Sequence, residues 1–345
     1  MTADTETFRF RSYLEAMAEA GEIDVVDSPA PLSTIAERLE GNTQGVWFRR
    51  AGPEGQELAG NIMGSRRRLA LSLGVDERDL LSETTRRLRA PVAPVEIATA
   101  DAPVHQIIRR ENEADLTALP VHLQHGQDGA PYISATLDFS RDPNTGYTNV
   151  GMRRLMLRGR REAGIDLNAP SDLRVIYGGA QGAGDRLPVA FAVGYHPADA
   201  IAALAMTPPV DELSLMGAVR GAPVPVVKCV TSDLRVPADA EYIIEGYLEA
   251  GGWNEPEGPY GEYVGYYGRL KQNPVFHLTA ITQREDAVFQ TATIGGRNMA
   301  TTDTAPLCAL RTEQAIWTAL ESAVREPVAV YCPASTGGMY NVRIA

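Results

Sequence analysis

Apolar residues recur at helical spacing through the first hundred positions and then give way to extended runs. SYLEAMAEAGE and STIAERLEG each carry a 3.6-residue stripe, the second with Ser33 as N-cap and Gly41 as stop. ERDLLSETTRRLRAP closes at Pro91, and the Pro- and Ala-rich stretch to about residue 110 reads as a connection between domains. After Leu116 strand-like runs of eight to eleven residues take over: YISATLDFS, YTNVGMRRLML, LPVAFAVG, PVPVVKCVT, VFHLTAIT and AVFQTATIG, mostly bounded by Gly, Pro, Asp or Asn. Between them DLRVIYGGA, PADAIAALAM, VDELSLMGAVRG and AEYIIEGYLEAG read as helices. GGAQGAG, lacking the context of a phosphate loop, reads as a helix end. DTAPLCALRTEQAIWTALESAV then predicts a longer amphipathic helix, followed by strand-like EPVAVYCPA and MYNVRIA. Strands with interspersed helices predict an α+β or mixed-barrel domain rather than strict βαβ alternation.

Length and charge narrow this picture. At 345 residues the chain exceeds one compact core and is expected to form two or three domains with room for a cleft. It shows neither an 18-residue apolar run nor a signal pattern, so the expectation is a cytoplasmic protein with no membrane partner. The net charge of −12 argues against nucleic acid as partner, because phosphate-backbone binding needs a basic face. Cys229, Cys308 and Cys332 are widely spaced and form no CxxC pair, which speaks against a disulfide frame or a zinc ribbon, and Cys229 and Cys332, in the apolar runs VVKCVT and VAVYCPA, read as buried thiols. The histidines form no HExxH; His122 and His125, between Pro120 and GQDG, read as a surface loop. GxSxG is absent as well, which sets serine hydrolysis aside.

Three segments carry candidate chemistry. In TNVGMRRLM, strand alternation puts Asn149 and Arg153 on one face and Arg154 on the other, unless Gly151 makes a bulge. An arginine there either faces solvent or clamps a carboxylate with its fork of donors. In PPVDELSLMGAV, Asp211 and Glu212 open a helix, where acids ordinarily serve the dipole; as a metal ligand Glu212 needs Asn149 and an acid such as Asp172, a hard oxygen set. The third segment, GGWNEPEGPYGEYVGYYG, sets Glu255, Glu257 and Glu262 among six glycines and five aromatics. The glycines let the chain turn sharply and bring Glu257 and Glu262 to one cavity. Trp253, Tyr260, Tyr263, Tyr266 and Tyr267 draw those acids out of water, which raises a glutamate toward use as a proton donor, while a neighbouring arginine opposes that shift.

Taken in order, GAPYISATLDFSRDPNTGYTNVGMRRLMLRG, LPVAFAVGYHPADAIAALA, PPVDELSLMGAVRGAPVPVVKC, VPADAEYIIEGYLEAG and PEGPYGEYVGYYG resemble the UbiD family of reversible decarboxylases across about residues 115–300. The resemblance implies an α+β, multi-domain chain: residues 1–115 an N-terminal α/β domain, 116–300 a split-barrel-like domain for prenylated flavin mononucleotide (prFMN), and 301–345 the start of an incomplete C-terminal oligomerisation domain. It implies a catalytic trio in which Glu262 donates the proton, Arg154 orients the substrate carboxylate and Glu257 holds Arg154. It further implies cofactor-binding positions at Asn149, Val150, Met152, Arg154, Met206, Thr207 and Glu212. A divalent metal, Mn2+ or Mg2+, would bridge the cofactor phosphate through Asn149 and Glu212, with K+ as a further candidate ion. The family's third metal ligand is usually histidine; here the position falls on Asp172, which is expected to take over. Arg153 stands where the family often has an aromatic, and neither Lys228 nor Lys271 matches the family's phosphate-reaching lysine. The expected activity is non-oxidative decarboxylation of an α,β-unsaturated or aromatic acid, in a homodimer or higher homo-oligomer supplied by a flavin prenyltransferase. The alternatives are a split-barrel flavin oxidoreductase and a non-catalytic flavin or metal binder.

Overall fold

Six antiparallel strands between Tyr132 and Gln283 pair in a ring, and this closed barrel is the centre of the computed structural model, which describes residues 3–345. Around the ring lie Tyr242–Leu248, Leu187–Val193, Tyr132–Arg141, Thr148–Leu157, Glu162–Ile165 and Val275–Gln283, which pairs back onto Tyr242–Leu248. Closure leaves the six without an open edge. Successive side chains go to opposite sides of the wall. Phe191, Ile244 and Phe276 join one core, with the Phe191 and Phe276 rings edge-to-face at 5.0 Å, while Ala190, Ala192 and Ile243 join another that includes helices Pro197–Ala203 and Glu212–Arg220.

AEYIIEGYLEAG is a barrel strand, Tyr242–Leu248, and not the helix expected. Tyr242 to Gly246 are all buried, and a strand covered on both faces loses the alternation that marks it in sequence. Gly246 sits at a register shift against Val275–Gln283, where a Cβ would collide with His277 O and the Phe276 ring.

The first hundred residues hold strands as well as helices. Ile23–Val26, Gly45–Ala51 and Gln56–Gly60 form a sheet whose fourth strand is Val288–Thr291, parallel to Gln56–Gly60. These strands escaped the sequence reading because they are short and, in Gly45–Ala51, largely buried on both faces. Ser33 lies inside a short 3-10 turn, Leu32–Thr34, ahead of helix Ile35–Leu39, and is not an N-cap. Two strands do not follow the expected boundaries at 115 and 300: Ile107–Arg110 adds to the barrel, and Val288–Thr291 to the N-terminal sheet.

Three helices bear on the site. Asp172–Ala183 begins at Ser171, whose hydroxyl accepts from Arg174 N at 3.3 Å, and ends at left-handed Gly184, so GGAQGAG does terminate a helix. Glu212–Arg220 starts at Asp211, whose carboxylate caps nothing and takes Thr148 N and Arg235 instead, each at 3.2 Å. Thr304–Ala323 is the long amphipathic helix read from the sequence. Among the described residues no helix is long and apolar enough to cross a membrane.

Candidate active site

Strand Thr148–Leu157 organises the site by alternation alone. Asn149 Nδ2 and Arg153 Nε reach the two oxygens of Asp138, at 3.1 and 3.0 Å, from one face, and Arg154 leaves from the other. Gly151 makes no bulge; the register shift is on the partner strand, between Ile133 and Thr136. Gly151 lies opposite Asp138, and a Cβ would come within 2.7 Å of its carboxylate. Asp138 is fully buried, and burial pushes its carboxyl up to about 6 against the pull of Arg153.

Arg154 is the hub of an ion-pair cluster. Its Nε donates to Glu257 at 3.2 Å, Nη1 to Glu262 at 3.1 Å, and Nη2 to Asp166 at 2.9 Å and to Glu262 at 3.3 Å. The guanidinium lies 4.3 Å from the Tyr260 ring centre. Burial works to discharge Arg154, but Glu257, Glu262 and Asp166 together hold it charged above its ordinary range. Lys271 Nζ joins through Asp166 at 2.7 Å and Glu262 at 3.2 Å. Although burial opposes it, Arg154 and Lys271 keep the Asp166 carboxyl down at about 2.

The acidic loop owes its shape to short-range pairing. Glu255–Glu257 pairs antiparallel with Lys271–Asn273, with Glu257 opposite Lys271. Gly258 takes a φ of 100° and Gly265 one of 81°, conformations open mainly to glycine, so the chain returns on itself between them. Gly261 N donates to Asp128 Oδ1 at 2.8 Å, while Asp128 Oδ2 holds His125 N at 3.0 Å. His125 Nε2 contacts Ile294 O at 2.8 Å, and its ring fills the space a Cβ on Gly261 would need. The segment expected as a surface loop is therefore the clamp of the acidic loop. His122 is itself buried against Thr291 Oγ1 at 3.0 Å, and burial pushes it down to about 4.

The aromatics divide. Tyr260, with the unanticipated Tyr132, packs against the acids, and Trp253 packs on Tyr177 instead. Tyr266 and Tyr267, expected to shield the glutamates, are exposed. Glu255 pairs with Arg158 at 3.1 Å, apart from the cluster.

Two cavities receive these residues. One, of about 340 Å3, is lined by Asn149, Asp172, Thr207 and Glu212. Asp138 occupies the Asn149 amide nitrogen, which leaves the amide oxygen for the cavity. Burial pushes Glu212 up to about 7, aided by Asp138, Asp172 and Asp211, against a bond from Val150 N. No arginine or lysine among the described residues pairs with Asp172 or Glu212. Among the described residues no three His, Cys, Asp or Glu side chains are close enough together to hold a metal by themselves; Asp142 and Asn144 line the same cavity beside Asn149, Asp172 and Glu212. Oxygen donors without a protein cation beside them have the chemistry to take a hard divalent cation, and Asn149, Asp172 and Glu212 share this one cavity.

The other cavity, of about 230 Å3, is lined by Met152, Arg154, Tyr260, Glu262, Leu307 and Cys308, the last two from helix Thr304–Ala323. Of the remaining expected cofactor positions, Val150 is buried in the core and offers only its backbone, already bonded to Glu212, and Met206 is exposed and lines neither cavity. Asp166, Lys271, Asp138, Asp128 and His125 were not anticipated. Asp138, Asp166 and Lys271 stand at no motif spacing, and His125 and Asp128, three apart, lie in the segment read as a surface loop.

Comparison with known proteins adds a family. The model of the UbiD family, described as 3-octaprenyl-4-hydroxybenzoate carboxy-lyase Rift-related domain, matches residues 95–298. An evolved dimeric form of the UbiD-class enzyme HmfF from Pelotomaculum thermopropionicum, in complex with prFMN, is 31% identical with a TM-score of 0.91, over 98% of this chain and 78% of that one. The 3,4-dihydroxybenzoic acid decarboxylase AroY of Klebsiella pneumoniae is 27% identical with a TM-score of 0.87, over 98% and 74%. The closed form of vanillic acid decarboxylase from Sedimentibacter hydroxybenzoicus is 26% identical with a TM-score of 0.88, over 100% and 74%.

Proposed function

The chain belongs to the UbiD family of carboxy-lyases, and from that premise we propose that it decarboxylates an α,β-unsaturated or aromatic carboxylic acid with the help of prFMN. The observation that carries the reading is one guanidinium bonded to both Glu257 and Glu262 at the wall of a mainly apolar cavity.

When bound, prFMN supplies an electron sink for the pair left behind as the bond to the carboxylate breaks. Asn149, Asp172 and Glu212 would hold the divalent ion, Mn2+ or Mg2+, at the phosphate end. Arg154 binds and orients the substrate carboxylate through its fork of N–H donors. Glu257, almost wholly buried, fixes Arg154 Nε and so sets the plane of that fork. Carbon dioxide departs, and Glu262 delivers a proton to the carbon it left; water then restores the proton to Glu262, so one proton is consumed per carbon dioxide released. Tyr260 and Leu307 keep the cavity dry enough for the proton to go to carbon. A flavin prenyltransferase would supply the cofactor, and the chain would act as a homodimer or higher homo-oligomer.

The test is Glu262→Gln in protein co-produced with a flavin prenyltransferase. Turnover of a panel of aryl and acrylic acids is expected to vanish while the flavin absorbance stays with the protein. A variant that keeps full activity would refute the proton-donor role.

A further inference from the structure

The Arg154 cluster sets two cations, Arg154 and Lys271, against three carboxylates, Asp166, Glu257 and Glu262. Four of the five N–H donors of Arg154 are engaged and only one, on Nη1, is free, so a substrate carboxylate takes two donors side by side only by displacing one of the three. Glu257 is held in place: its side chain is 1% exposed, and Asn273 stands 3.5 Å from its other oxygen. Asp166 is tied down too, with Asn168 N on Oδ1 at 3.1 Å and Lys271 on Oδ2 at 2.7 Å. Glu262 differs. It rides on a loop between Gly261 and Gly265, and its Oε1 already has a second cation, Lys271 Nζ, at 3.2 Å.

We propose that Lys271, braced by Asp166, is a positioning residue for the catalytic acid: it receives the Glu262 carboxylate and so releases the Arg154 fork to the substrate. The inference rests on the functional reading above. Exchange between two cations costs Glu262 little, because one charge-assisted bond replaces another. It also sets when the acid takes up its proton, since a cation facing a carboxylate favours the ionised form and an anion facing it favours the protonated one. The charged and titratable groups around Glu262 are Arg154 from strand Thr148–Leu157, Asp166 from the segment after Glu162–Ile165, Glu257 and Lys271 from the paired short strands, Tyr260 and Tyr263 from its own loop, and Cys308 beyond Tyr263 on helix Thr304–Ala323.

The test reads the acid directly. In the full chain, with and without bound flavin, Glu262 is titrated by carbon-13 NMR of side-chain-labelled glutamate and assigned by the signal lost in Glu262→Gln. Lys271→Met is expected to move its midpoint up by about one pH unit and Asp166→Asn to move it down, since one removes a cation and the other an anion. Lys271→Arg should restore the wild-type midpoint. Displacements of opposite sign would not come from a merely loosened loop. A Lys271→Met midpoint that stays put, or two variants that move together, overturns the proposal. Full turnover in Glu262→Gln would instead defeat the functional reading and leave the ion-pair result standing.

Discussion

Arg154 shows what a single side chain decides here. It bonds three carboxylates through distinct nitrogens while its plane lies against Tyr260, an arrangement that needs a flat fork and not a point charge. Arg154→Lys keeps the charge and loses the fork, so kcat/KM is expected to fall by about a hundredfold or more in steady-state kinetics, with thermal stability little changed. Asp172 makes the parallel point for the oxygen pocket. It lines the cavity with Asn149 and Glu212 and has no protein cation as partner among the described residues. Asp172→Ala is expected to weaken Mn2+ binding by at least about tenfold, as read by metal content after dialysis; an unchanged content would remove Asp172 from the ligand set.

At the scale of elements, the acidic loop is shaped by neighbours distant in sequence. Asp128 accepts from Gly261 N at 2.8 Å, and His125 packs where a side chain on Gly261 would lie. Asp128→Ala unties that backbone without touching the acids, so kcat is expected to drop by about tenfold while bound flavin is retained. A kcat equal to wild type would show that the loop holds its shape unaided. Strand Tyr242–Leu248 depends similarly on Gly246, which faces the Phe276 ring at close quarters. Gly246→Ala is expected to destabilise the barrel by about 1–3 kcal/mol in urea titration, the usual range for forcing an extra carbon into a filled core.

For the whole molecule, the most general expectation concerns acid. His122 is buried and neutral, with its folded value pushed down to about 4. The unfolded chain binds that proton near 6.5, so the stability is fully present above 6.5 and is lost as pH falls toward 4. The loss from this one group is roughly 2–3 kcal/mol, and His122→Asn should flatten the decline in urea midpoint between pH 7 and pH 4.5. The same burial explains how much of the protein was legible beforehand. The sequence by itself determined the long helices, most barrel strands, and the alternation that separates Asn149 and Arg153 from Arg154, because helical and strand periods are local properties. It also singled out Glu257 and Glu262, since glycines and prolines around acids declare a turn without any knowledge of the fold. Tertiary structure alone decided that AEYIIEGYLEAG is a strand and that Val288–Thr291 leaves the barrel for the N-terminal sheet. It also decided that Asp166 and Lys271 complete the Arg154 cluster, that Asp128 clamps the loop, and that Tyr266 and Tyr267 face outward. The physical reason is common to all of these. A strand covered on both faces hides its period, and an ion pair formed across a barrel wall leaves no spacing in the chain, so both exist only once the strands have closed.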